Sequence, residues 1–393
     1  MNNIPLNGTT RKAIIGEMPV VDFLYLCYLF SVVLMSTLGY SASDTIYVVV
    51  AAVGCLFAIM RVLALRYEPR YFAAVLFLTC ISIIELAVSR RFTLVLTVLL
   101  LVSARGIDLK RILFVFFAAK IVGLVLLVVF ATTGIFDVEY YQYYKMASDS
   151  YVQRMRINGS GTTILHLSVI SCFALWFYLR DGRVSPLFYV LGIVVNVFTY
   201  GMVHSTMGLL MGAGSLLLFL FCQALSRSRH ILISAAKWII PVLLLFSFGT
   251  AVLYGGNELV NRLDALFQGR IYYNHFFLTN YQVSLFGHGM LTSEGNFDNS
   301  FVFIFVAYGL VTFSIIFCSM QTVLCRLAAD GAWVSIAFAA VFLLVGLSES
   351  FYPSAAVNPS LFLLLTLLNE KATEDAVMVT KEIVVRGKHG IFN

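Results

Sequence analysis

Charge is what this sequence has least of. Only 12% of its 393 residues are Asp, Glu, Lys or Arg, while 60% are hydrophobic, and the mean hydropathy is +0.92. An ordinary water-soluble domain carries about a quarter charged and about half apolar residues, so that class is excluded. Cysteine is scarce as well. The seven thiols (Cys27, Cys55, Cys80, Cys172, Cys222, Cys318 and Cys325) fall within apolar runs or at ends expected to face the cytoplasm. No disulfide framework and no CxxC metal site follow from that placement. Also lacking are a Walker-type glycine-rich loop, a DxD pair, a basic-aromatic nucleic-acid signature and any repeat of fixed period. The residues therefore point to no nucleotide, cofactor, metal or nucleic acid.

Long apolar runs stand where charge is missing. Ten cover about 20–38, 45–60, 71–88, 112–133, 161–179, 187–203, 206–225, 231–254, 300–320 and 333–351, and two shorter ones cover Phe92–Ala104 and Ala355–Leu368. A bilayer core about 30 Å thick takes roughly 20 apolar residues per helix. The expected fold is all-α, a polytopic transmembrane helix bundle of about 12 spans. It forms a single membrane domain over 1–368, with both termini cytoplasmic and a tail at 369–393.

Charge placement supports the short crossing at 92–104. With all twelve runs crossing, basic residues gather on the cytoplasmic side. Outside fall only Arg90, Arg91, Lys145, Arg154, Arg156, Arg262 and Arg270, with Lys120 and Lys237 inside spans. Deleting that crossing would invert the distribution, against the positive-inside rule. The first run follows Arg11 and Lys12 but is too long for a typical signal-peptide core, and reads as an uncleaved anchor. The net charge of +6 suits an anionic inner leaflet.

Two connections are long, about 137–161 and 255–299, and both are expected to face outward. The first holds Tyr140, Tyr141, Tyr143, Tyr144 and Tyr151 with Lys145, Arg154 and Arg156. Those rings suit anchoring at the headgroup level, and one or two suit a glycan groove. In the second, Asn257 is placed to cap a short helix that puts Leu259, Leu263, Leu266 and Phe267 on one face, as an interfacial helix would. Long loops with aromatics and arginines suggest a shared surface site. Arg154, Arg156, Arg262 and Arg270 are suited either to gripping a phosphorylated partner or to salt bridges with Glu139, Asp149, Glu258 or Asp264. Inside the runs lie Glu85, Lys120, His166, Lys237 and Glu349; Lys120 alone is deep and has no deep carboxylate.

Three segments carry a resemblance. Leu266-Phe-Gln-Gly-Arg270, then Leu285-Phe-Gly-His-Gly289, then Asp298-Asn-Ser-Phe301 leading to Tyr308-Gly309 resemble, in that order, the signature of the O-antigen polymerase and ligase superfamily. Arg154-Met-Arg-Ile-Asn-Gly159 resembles its upstream arginine-rich loop. The sequence departs from the pattern at Val203-His-Ser-Thr206, where relatives carry a Ser-Arg pair, and at Gly161-Thr-Thr163, where they carry Pro-Asn. Ligases put His where Asp298 stands, which favours a polymerase.

The resemblance implies a metal-independent glycosyltransferase in the bacterial inner membrane, with no cofactor. It would move a glycan from undecaprenyl pyrophosphate onto another lipid-linked repeat unit of an O-antigen, capsule or exopolysaccharide. The implied partners are that lipid-linked oligosaccharide, membrane lipids, a flippase and a chain-length regulator. Arg156 and Arg270, supported by Arg154, would clamp the pyrophosphate, and Asp298 would orient or deprotonate the acceptor hydroxyl. Asn299, His288, Glu294 and Tyr272 would line the substrate site. A helix N-cap is the competing role for Asp298, and a turn is the role expected of Gly287 and Gly289. A ligase-type transferase or a lipid-linked oligosaccharide flippase shares the gross hydropathy.

Overall fold

A computed structural model describes residues 19–41, 44–65, 69–145, 150–158, 162–225, 229–289 and 297–368. Most of the apolar runs in the sequence become helix. The first five are α1 (Val20–Thr37), α2 (Thr45–Ala64), α3 (Pro69–Ser89), α4 (Thr93–Ser103) and α5 (Leu109–Thr132). After a hairpin come α6 (Thr162–Leu179), α7 (Pro186–Val203) and α8 (Thr206–Ala224). The run at 231–254 breaks at Lys237 and Trp238 into α9 (Arg229–Ala236) and α10 (Ile239–Leu253). The second long connection forms α11 (Glu258–Leu266) and α12 (Arg270–Asn280). Next, α13 (Ser300–Phe303) passes through one π-helical turn into α14 (Gly309–Ala329), followed by α15 (Trp333–Val345). The last run is a buried turn region that leads into a 3-10 helix (Pro359–Leu364) and α16 (Leu365–Leu368).

Among the described residues seven helices are long and apolar enough to cross a membrane, or eight if the bent pair α10–α11 is one span. Three shorter apolar helices accompany them: Thr93–Ser103, Ile164–Leu179 and Trp333–Val345. Their surfaces are apolar all round. Leu63, Leu217, Leu245 and Val252 are 79%, 65%, 75% and 75% exposed, and similar residues ring the bundle. A water-soluble surface does not carry such a continuous apolar belt, so these helices face lipid. The protein is a membrane protein.

Helix ends sort into two groups. At one end, Arg61 pairs with Asp22 at 3.1 Å and donates to the Arg105 carbonyl, Arg105 lies over the Tyr71 ring, and Lys110 pairs with Asp181. At the other end the hairpin, α11 and α12 collect. The α10 to α11 bend is 115°, which lays α11 across that end of the bundle. Asn257 caps α11 as its sequence position suggests, accepting from the Leu259 and Val260 amides.

The all-α expectation needs one correction. Residues 137–161 contain an antiparallel hairpin, β1 (Val138–Lys145) paired with β2 (Ser150–Ile157), in the register Glu139 to Arg156 and Tyr141 to Arg154. The period-two pattern Arg154-Met155-Arg156-Ile157 is the local cause, since alternate strand side chains point to opposite faces. Met155 and Ile157 pack with Leu38, Leu127, Phe136 and Val203 on the bundle. The arginines are thereby turned to the opposite face. Asn158 closes the hairpin base by donating to the Leu38 carbonyl at 3.2 Å.

Candidate functional site

The turn between α11 and α12 sets the site. Gln268 (φ 57°) and Gly269 (φ 83°) are both left-handed, which reverses the chain within two residues. Asp264, buried on α11, accepts from the Ile271 and Tyr272 amides at 2.8 and 3.1 Å and so caps α12. Arg270 is thereby fixed at the first position of α12, and it is 7% exposed.

Each of its three guanidinium nitrogens has a partner. Nε donates to the Ser348 carbonyl at 2.9 Å, Nη1 to the Phe267 carbonyl at 3.3 Å, and Nη2 lies 3.4 Å from both Asp298 and Glu349. Glu349 follows the end of α15, and its backbone carbonyl accepts from the Ser300 hydroxyl. This locks the segment after α15 onto the start of α13. On the hairpin side, Arg154 is 8% exposed and donates from Nη2 to Gln268 Oε1 at 3.3 Å. Arg156 lies on the same strand face, its guanidinium over the Tyr141 ring at 5.1 Å.

Asp298 is half-buried, and burial pushes its carboxyl above the ordinary carboxylate range while Arg270 and then Arg154 oppose the rise. Hairpin arginine, amide, carboxylate and second arginine thus form one polar cluster where three elements meet. Such a cluster can bind an anion on its hairpin side and take up a proton at Asp298. Among the described residues no group of three His, Cys, Asp or Glu side chains is placed to hold a metal ion.

The neighbouring motif residues have different places. Asn299, not Asp298, is the N-cap: its Oδ1 accepts from the Phe301 and Val302 amides, and Nδ2 donates to the Ser247 hydroxyl. That use of Asn299 leaves the Asp298 carboxylate for Arg270. Tyr272 is exposed, its ring 5.7 Å from that of Tyr254. His288 is held in its own turn by the Gln282 carbonyl at 2.6 Å and beside Tyr281. Glu294 lies outside the described residues.

Gly287 and Gly289 do more than turn the chain. A Cβ on Gly287 (φ 72°) would lie 2.2 Å from the Ala307 carbonyl oxygen, one on Gly309 would lie 2.3 Å from the Gly287 nitrogen, and one on Gly289 would lie 2.7 Å from the Val88 carbonyl oxygen. Bare backbone is required at this crossing of the two glycine motifs. At the departure Val203-His-Ser-Thr206, His204 ends α7 in the left-handed region and Ser205 caps α8.

The chain matches no family model, no curated protein and no solved structure. The site therefore rests on its own geometry.

Three residues at the cluster were not assigned their observed roles from the sequence alone. Glu349 was visible as a charge inside an apolar run, the usual mark of a functional or paired group. Gln268 sat inside the Leu266–Arg270 segment without a role, and Asp264 was visible as an acid on a short helix. Two other intramembrane charges have polar partners elsewhere: Glu85 accepts from Thr312 at 2.9 Å, and Lys120 donates to the Ser168 hydroxyl at 3.2 Å.

Proposed function

We propose that this chain is a polymerase of a surface polysaccharide (O-antigen, capsule or exopolysaccharide). It transfers a growing glycan from undecaprenyl pyrophosphate onto a hydroxyl of another lipid-linked repeat unit. The topology that goes with this reading is twelve crossings of a bacterial inner membrane, termini inside, with the hairpin and α11–α12 on the outer side. The observation that carries it is the convergence of Arg154 and Arg270 around Asp298, supplied by two segments far apart in the sequence.

In this reaction the acceptor hydroxyl gives its proton to Asp298 as its oxygen bonds to the donor anomeric carbon. The bond from that carbon to the pyrophosphate oxygen breaks, and undecaprenyl pyrophosphate leaves as the anion. Arg154 and Arg156, both on the hairpin face that meets Gln268, stabilise the departing charge. Arg270 has another part. With its three nitrogens already bonded to carbonyls and carboxylates, it holds Asp298 in place rather than gripping phosphate.

The deciding experiment is reconstitution in liposomes with a lipid-linked repeat unit as sole substrate, without nucleotide sugar and with a chelator present. A ladder of longer lipid-linked chains is expected. Movement of the unchanged repeat unit between leaflets, with no ladder, would make the protein a transporter.

A further inference from the structure

Gln268 holds a combination that packing alone does not explain. A non-glycine residue in the left-handed region is uncommon, and such residues concentrate at functional sites. This one is 6% exposed, between α11 and α12. Its Oε1 accepts from Arg154. Because a guanidinium only donates, the amide must present oxygen to Arg154, and its NH2 group is turned elsewhere. That Nε2 is buried and has no hydrogen-bond partner among the described residues. Buried amide donors are almost always paired.

A second donor shares the condition. Nε of Arg156 is also buried without an acceptor among the described residues, and Arg156 is on the same strand face as Arg154. The carboxylates of the cluster, Asp298 and Glu349, are on Arg270. So two cations and one neutral amide lie on this side of the cluster with two buried donor nitrogens, Gln268 Nε2 and Arg156 Nε, left without an acceptor among the described residues. A partner rich in acceptor oxygens and negatively charged suits these donors.

We infer that Gln268 is a substrate-binding residue whose side-chain N–H donates to a phosphate oxygen of a polyprenyl pyrophosphate, beside Arg154 and Arg156. This rests on the polymerase reading for the identity of the lipid carrier. A neutral donor adds what the arginines do not. It is fixed in direction by its bond to Arg154, and it fits a bridging or terminal phosphate oxygen without adding charge.

The test uses the purified full chain in neutral-lipid nanodiscs and farnesyl pyrophosphate as probe, with farnesol and inorganic pyrophosphate as comparators. Gln268→Gly suits the left-handed backbone and removes only the amide; Gln268→Glu keeps the shape and replaces the donor with an acceptor. We expect farnesyl pyrophosphate to bind the wild type. Both variants should bind it on the order of 10-fold to 100-fold more weakly, the scale of one hydrogen bond to a charged group, with farnesol binding unchanged. Inorganic pyrophosphate should compete.

Unchanged farnesyl pyrophosphate affinity in Gln268→Gly, with the wild type binding normally, overturns the role of Gln268 alone. A wild type that does not bind the probe overturns this role and the carrier reading together. Competition by phosphatidylglycerol vesicles as strong as by inorganic pyrophosphate would make the site one for anionic lipid headgroups and would also overturn it. Should Gln268→Gly melt early, the Gln268→Glu comparison still decides.

Discussion

Nη2 of Arg270 lies 3.4 Å from Oδ2 of Asp298, and the same nitrogen lies 3.4 Å from Oε1 of Glu349. One cation thus serves two carboxylates in a half-buried setting, with its remaining nitrogens on the Ser348 and Phe267 carbonyls. Arg154 balances the second negative charge from the hairpin side. The consequence is a division of labour among arginines that look alike in the sequence.

Arg270→Ala should therefore damage the fold before it damages chemistry. Removing one partner of a buried ion pair costs about 3–5 kcal/mol, because the carboxylates left behind are desolvated and unpaired. We expect lower yield and a lower melting temperature in detergent. Arg156→Ala, by contrast, should fold normally and lose turnover on the order of 100-fold to 1,000-fold. Arg262, in an exposed i,i+4 pair with Glu258, is the control and should change neither. Equal melting temperatures for Arg270→Ala and Arg262→Ala would contradict the assignment.

The pH profile should carry the signature of Asp298. Burial raises its pKa above the ordinary carboxylate value, against the pull of Arg270 and Arg154. A base must be ionised to accept a proton, so turnover should fall as pH drops through the raised value, starting at higher pH than for an ordinary aspartate. The stability sign is opposite. Between the ordinary and the raised value the folded form binds more proton than the unfolded form, so this group's contribution declines as pH rises through that window. Asp298→Asn should remove the acidic limb of the rate profile and lower turnover on the order of 100-fold or more.

The two glycine motifs should be intolerant of a single methyl. Gly287→Ala places a Cβ 2.2 Å from the Ala307 carbonyl oxygen on a backbone at φ 72°. We expect loss of folded protein, read as aggregation in size-exclusion chromatography. Gly255 is also left-handed (φ 80°), yet nothing lies within 4 Å of its added Cβ. Gly255→Ala should retain most folded protein, which separates steric collision from backbone strain.

The proposed orientation is testable in intact cells. In a background without the native cysteines, Tyr151→Cys on the hairpin should react with an impermeant thiol reagent and Asp181→Cys should not. Both side chains are exposed, at 70% for Tyr151 and 63% for Asp181, so access depends on the side of the membrane. The reverse pattern would invert the topology.

Much of the helical frame was legible because a span's signal is local and additive. A run such as Leu109–Thr132 needs no partner to declare itself, since lipid solvates its whole circumference. The Asn257 cap was legible for the same reason, as its acceptor and the amides it satisfies lie within one turn. The hairpin was also written locally, in the alternation Arg154 to Ile157, but alternation does not say which face is buried. Packing of Met155 and Ile157 on Leu38, Leu127 and Val203 decided that, and with it the direction of the arginines.

Only tertiary structure could separate Asp298 from Asn299 or Arg270 from Arg156. Adjacent in sequence, the first two were equally good caps; the cap went to Asn299 because its amide also reaches Ser247, a residue of α10. Arg270 became a tether because α15 ends beside it and delivers Ser348 and Glu349. A side chain's chemical type is fixed by its own residue, whereas its freedom to act depends on acceptors brought from distant segments, and that depends on how the helices pack.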